Sequence, residues 1–143
     1  MARGIPKEQL EMLSRVPLFS ACTDKELRAV ASLGTSIDVA AGKELTKQGD
    51  RGAEFFLVLD GQATCRINGK KVATYGPGEQ FGEMALLDRG PRTATVTADT
   101  PMRLLVISAQ EFGGLLAEAP SIARKMLITV ATRLREAEKN PSH

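Results

Sequence analysis

Phe81-Gly82-Glu83-Met84-Ala85-Leu86-Leu87-Asp88-Arg89-Gly90-Pro91-Arg92-Thr93-Ala94-Thr95-Val96 decides how this chain is read. A glycine turn leads into a carboxylate and a short apolar turn. A second glycine then leads to an arginine that opens an alternating strand. These residue types suit a ring-closed phosphodiester and the sugar attached to it. Arg92 offers a planar, permanently charged fork for two phosphate oxygens. One helical turn over Gly82 to Leu87 would aim backbone N–H groups at the same spot. Ala85 and Ala94 are small enough to let the backbone approach a ligand closely. Glu83 would repel a phosphate, but it can accept a hydrogen bond from a ribose 2′-hydroxyl. Asp88-Arg89-Gly90-Pro91 is the tight link to the strand, where Thr93, Thr95 and Thr97 face one way and Ala94, Val96 and Ala98 the other.

Outward from this segment the pattern is one of short strands. From Thr35 to Ile107, glycines at 42, 49, 52, 61, 69, 76, 78, 82 and 90 punctuate the chain as turns. Phe55-Phe56-Leu57-Val58-Leu59 reads as a strand buried on both sides. Ala63, Cys65 and Ile67 alternate with Gln62, Thr64 and Arg66, giving one core face. Asn68-Gly69 is a type I′ hairpin turn, and Val72 to Tyr75 is the returning strand. Strands at this spacing form a sandwich or barrel.

Helices flank the strands. Lys7 to Val16 carries Leu10, Leu13 and Val16 at helical spacing. Thr23-Asp24-Lys25-Glu26 is a capping box opening a helix with Leu27, Val30, Ala31 and Leu33 on one side, which Gly34 would end. Ser108-Ala109-Gln110-Glu111 is a second box, and its helix contains Gly113-Gly114, a pair costing about 2 kcal/mol against two alanines. Pro120 suits the first turn of a final helix. Ile122, Met126, Val130 and Leu134 form an apolar stripe along it, suited to docking on the core or to capping a ligand. Asn140 to His143 would be frayed.

Composition narrows the function classes. With 143 residues, 43% hydrophobic and 25% charged, the chain has the size and balance of one globular domain. A net charge of +2 gives no footprint for nucleic acid. No apolar run approaches the roughly 20 residues that span a bilayer. The N-terminus lacks a signal peptide, so a cytoplasmic location is expected. Cys22 and Cys65 are far apart and His143 is the single histidine, so neither a metal site nor a metal-dependent phosphodiesterase is expected.

FGEMALL followed by PRTATV resembles the phosphate-binding cassette of the cyclic nucleotide-binding domain family, closest in pattern to the cyclic nucleotide-gated and hyperpolarisation-activated channel type. Gln48 to Gly61 and Val16-Pro17-Leu18-Phe19 are similar to further family segments, and the likeness runs from about Leu10 to Arg135. It implies an eight-stranded antiparallel jelly roll, mainly β with flanking α-helices. Residues 1–143 would be one domain, with N-terminal helices over 7–34, the roll over 35–107 and two C-terminal helices over 108–138. It implies ribose contacts at Gly82 and Glu83, and phosphate contacts at Arg92 and the backbone around Ala85, Thr93 and Ala94. Thr93 would also meet the base: it permits a guanine 2-amino contact without selecting cGMP. Cys65 and Ala73 would touch the base from the strands, and Arg133, Leu134 and Ala137 from the final helix. Arg133 alternatively pairs with Glu136 or Glu138 on the surface.

The resemblance implies a receptor without enzymatic activity and without cofactor, whose ligand is cAMP, with cGMP as the alternative. Occupancy would be relayed by the final helix to an effector the sequence does not name. Two other readings keep the same fold. One is the sensor half of a catabolite-activator-type transcription regulator; such chains continue into a helix-turn-helix, so no nucleic acid partner is expected here. The other is an interaction domain that has lost its ligand, against which Glu83 and Arg92 argue.

Overall fold

The computed structural model describes residues 5–139, so the expectations for Asn140 to His143 lie outside the described residues. Helix α1 (Lys7–Ser14), a 3-10 turn (Pro17–Phe19) and α2 (Asp24–Ala31) precede eight strands. The strands are β1 (Thr35–Val39), β2 (Glu44–Thr46), β3 (Glu54–Asp60), β4 (Ala63–Ile67), β5 (Lys70–Tyr75), β6 (Gln80–Phe81), β7 (Thr95–Ala98) and β8 (Met102–Ser108). A 3-10 turn (Glu83–Leu86) lies between β6 and β7, and α3 (Ala109–Glu118) and α4 (Pro120–Lys139) follow. The strands form two antiparallel four-stranded sheets, β1-β8-β3-β6 and β2-β7-β4-β5. This is a jelly roll with flanking helices.

Strand β3 is apolar on both faces because it separates two cores. Phe55 and Leu57 face the helices, among Leu13, Phe19, Val30, Phe112 and Ile122. Phe56 and Val58 face the interior of the roll, among Cys65, Phe81, Val96 and Leu104. Phe19 binds the helical side together, its ring 5.9 Å from both Phe55 and Phe112. Both residues of the Asn68-Gly69 turn have positive φ, 53° and 80°, as a type I′ hairpin requires.

Several local expectations need correction. The first helix stops at Ser14 and the second at Ala31. Gly34 does not cap the latter with a left-handed backbone; a Cβ there would sit 2.5 Å from Leu105 Cδ1, so a larger residue would have to displace the Leu105 side chain on β8. The Thr23 box is complete, but the Ser108 box is half made. Ser108 Oγ accepts from the Glu111 amide, and the Glu111 carboxylate takes the Ser108 hydroxyl instead of its amide. Thr64 is buried, because its hydroxyl donates to the Asp99 carboxylate. The returning strand starts at Lys70, two residues before Val72. In α4, Ile122 and Met126 are buried and Val130 is partly so, but Leu134 is 60% exposed, so the stripe docks only along its first half.

Candidate functional site

The segment between β6 and β7 folds over the mouth of the roll. Gly82 is left-handed, φ 80°, and a Cβ on it would meet Arg92 Nη1 at 2.7 Å and the Glu54 carbonyl at 2.8 Å. Backbone conformation and space therefore both require glycine. The turn that follows is 3-10 and four residues long, not α-helical. The Ala85 amide donates to the Gly82 carbonyl at 3.1 Å, so it is already engaged within the turn. Glu83 and Met84 carry the N–H groups that no carbonyl of such a turn can reach. Leu86 inserts into the helix-side core while Ala85 faces the cavity, so the turn joins the ligand side to the helices.

Arg92 lies in the approach to β7, not at its start: the strand begins at Thr95. Its Nη2 donates to the Glu54 carbonyl at 2.8 Å, and its Cζ lies 5.8 Å from the centre of the Phe56 ring. Gly52 forms one wall of its slot, where a Cβ would stand 2.6 Å from Arg92 Nε. Gly82 forms another. Burial lowers the proton affinity of the guanidinium, with the Glu54 carboxylate opposing the shift. Backbone hydrogen bonds hold the loop, Arg92 N–H to Asp50 at 2.6 Å and Gly49 N–H to Arg92 at 2.8 Å.

A cavity of about 520 Å³ lies under this segment, lined by Gly82, Glu83, Ala85, Arg92 and Thr93 along with Tyr75, Gln80, Phe81, Met84, Asp88, Gly90 and Pro91. A second lobe of about 260 Å³ continues past Tyr75, Phe81, Gly82, Arg92 and Thr93 to Thr46, Cys65, Ile67, Val72, Ala94 and Val96. The first lobe holds Glu83, Asp88 and Arg92, whereas, among the described residues, Arg92 is the one charged residue lining the second. Glu83 has a 13% exposed side chain, and its Oε2 is buried with no hydrogen-bond partner among the described residues. Its other oxygen, Oε1, lies 3.7 Å from Arg133 Nη1 on α4.

Most of the expected contact residues are thus brought together: Gly82, Glu83, Ala85, Arg92, Thr93, Ala94 and Cys65 all line one lobe or the other. Ala73 lines neither and packs instead against the roll core, opposite Cys65 in the β4–β5 ladder. Leu134 and Ala137 lie on the exposed half of α4, away from the cavity lining. Arg133 is paired with Glu83, not with Glu136 or Glu138. Tyr75 and Gly52 were not foreseen. The sole tyrosine in a glycine-rich strand region was the available signal for the first, and nothing local marks the second.

Residues 37–119 match the family model of the cyclic nucleotide-binding domain. The chain belongs to that family. This cyclic nucleotide-binding domain is 33% identical over 127 residues to the cyclic AMP receptor protein of Thermus thermophilus, covering 85% of the chain and 59% of that relative. It is 35% identical over 115 residues to the cAMP-dependent protein kinase regulatory subunit of Emericella nidulans, covering 79% of the chain and 28% of the relative. The crystal structure of the N-terminal domain of a transcriptional regulator from Streptomyces coelicolor A3(2) superposes with a TM-score of 0.84 at 33% identity, covering 92% of the chain and 96% of the other. The likeness is therefore not confined to channel-type members. The chain spans 59% and 28% of the two full relatives. The matched family is one of binding domains, and the two relatives are named a receptor protein and a kinase regulatory subunit. Kinship with a transcriptional regulator also removes the sequence argument against a nucleic acid partner. Among the described residues, no helix is long and apolar enough to cross a membrane.

Proposed function

We propose that this domain binds cAMP, with cGMP as the alternative ligand, and passes occupancy to α4. The observation that carries the reading is Glu83 Oε2, a buried acceptor with no donor among the described residues, in a cavity whose wall also holds Arg92. An unsatisfied buried acceptor costs about 1–3 kcal/mol, and a ribose 2′-hydroxyl would supply the missing donor. Arg92 takes the phosphate, supported by backbone N–H groups of the turn and around Thr93 and Ala94. The base enters the second lobe, beside Cys65 and Thr93. A cation and a carboxylate in one cavity suit a ligand with both an anion and a hydroxyl donor. The relatives named for cAMP favour adenine.

The relay runs through the same carboxylate. With Oε2 on the ribose and Oε1 on Arg133, Glu83 joins the ligand to α4. Leu86 couples the turn to the helix-side core in parallel. The chain breaks at Ala119 (φ −128°, ψ 74°), between α3 and α4, and passes through Gly113-Gly114 as continuous helix. The hinge is therefore Ala119-Pro120. Such a relay works only if the ligand binds one position of α4 better than the other. The sensor part of a transcription regulator is the second reading, favoured by the Streptomyces match.

The ribose assignment is tested with 2′-deoxy-cAMP. A hydrogen bond to a charged acceptor contributes about 1.5–3 kcal/mol, so its affinity should fall about 10- to 150-fold below that of cAMP. Equal affinities would remove Glu83 from the ribose.

A further inference from the structure

We infer that Tyr75 is the platform on which the base stacks, a role that rests on the cyclic-nucleotide reading and names its base-recognition element. Three aromatic rings form a ladder across the mouth of the roll. Phe56 and Phe81 face each other across the β3–β6 pair, their centroids 4.9 Å apart and their planes 16° from parallel. Tyr75 stacks on Phe81 at 5.1 Å and 22°. Phe81 thus stacks with two rings, Phe56 and Tyr75, while Arg92 lies over Phe56. Tyr75 is the end of this set away from Arg92, where a further flat group in the cavity could extend it. That residue is on β5, an edge strand of one sheet, and Phe81 is on β6, an edge strand of the other. The stack therefore bridges the sheets where the cavity opens.

Tyr75 also lines both lobes. A ligand whose phosphate meets Arg92 and whose base enters the apolar lobe must pass its ring. The Arg92 guanidinium lies over Phe56 at the other end of the ladder, so phosphate and base would be referred to one rigid aromatic frame. Burial, with Cys65 alongside, pushes the phenol up to about 12. The selectivity follows from area: a purine covers the ring more fully than a pyrimidine and should bind more tightly.

The chain contains one tyrosine and no tryptophan, so ultraviolet-excited emission reports on Tyr75 alone. Wild-type protein would be titrated with cAMP, cCMP and a base-free ribose 3′,5′-cyclic phosphate, by emission and calorimetry in parallel. N-acetyltyrosinamide corrects for absorption by the nucleotides. The expected results are quenching by cAMP, weaker quenching by cCMP, and none at saturation with the base-free phosphate. Base–aromatic stacking implies that Tyr75→Leu weakens cAMP about 5- to 150-fold. Tyr75→Phe should stay near wild type, and the base-free ligand should not respond to either change. Calorimetric binding of cAMP with unaltered emission would overturn the platform alone. No binding of any of the three by wild type would overturn the ligand reading and the platform with it.

Discussion

A glycine can be a functional residue by what it leaves empty. Arg92 lies in a slot bounded by Gly52 and Gly82, and a methyl group at either position would occupy space the guanidinium uses. The two differ in one respect. Gly82 is left-handed and also closes on the Glu54 carbonyl, so replacing it strains the backbone itself. Gly52 has no such backbone requirement, and the atoms nearest its added Cβ belong to the Arg92 side chain. Gly52→Ala should therefore displace the guanidinium while sparing the fold. Affinity for cAMP is expected to fall on the order of tenfold, about one charge-assisted hydrogen bond, with a melting temperature within a few degrees of wild type. Calorimetry and thermal unfolding on the same preparation check both halves.

Among the elements, α2 and α4 are joined by one side chain. Glu26 completes the Thr23 capping box, accepting from the Thr23 amide at 2.8 Å. It also accepts from Lys125 Nζ at 2.6 Å and the Ser121 hydroxyl at 2.8 Å, both on α4. The Lys125 bond, then the Thr23 amide and the Ser121 hydroxyl, pull its carboxyl down to about 2. A depressed carboxyl stabilises the folded state above its unfolded value, near 4.3, and loses that contribution as pH falls through the folded value. Helix docking should thus weaken between about pH 4.3 and 2. Glu26→Gln should flatten that part of the stability–pH curve and cost on the order of 1 kcal/mol at pH 7. Chemical denaturation across this pH range reads the effect.

Over the whole molecule, the proposed relay joins residues far apart in sequence. Glu83 and Arg133 meet across the gap between the cassette and α4. Arg133→Ala should change cAMP affinity less than about fivefold, since a half-exposed ion pair contributes about 1 kcal/mol or less. It should nevertheless reduce the ligand-induced change in hydrogen exchange along α4. A large loss of affinity would instead place Arg133 on the ligand. This scale also explains what could be read from the chain. The jelly roll was legible because its signals are local: the period of β3, the Asn68-Gly69 turn and the Thr23 box each need only a few neighbours. Gly82, Glu83 and Arg92 were legible because the cassette is contiguous. Gly34, Gly52 and Arg133 depend on Leu105, Arg92 and Glu83, partners that only the folded chain brings near, and helical spacing does not reveal that docking on the core ends before Leu134.

The central claim is that the cassette captures a cyclic nucleotide through Arg92. Calorimetric titration of wild type and Arg92→Ala with cAMP and cGMP tests it most directly. A charge-assisted bond to phosphate contributes about 1.5–3 kcal/mol. The account predicts saturable binding of at least one nucleotide by wild type, weakened about 10- to 150-fold or more by the substitution. Equally weak binding by both proteins would contradict it.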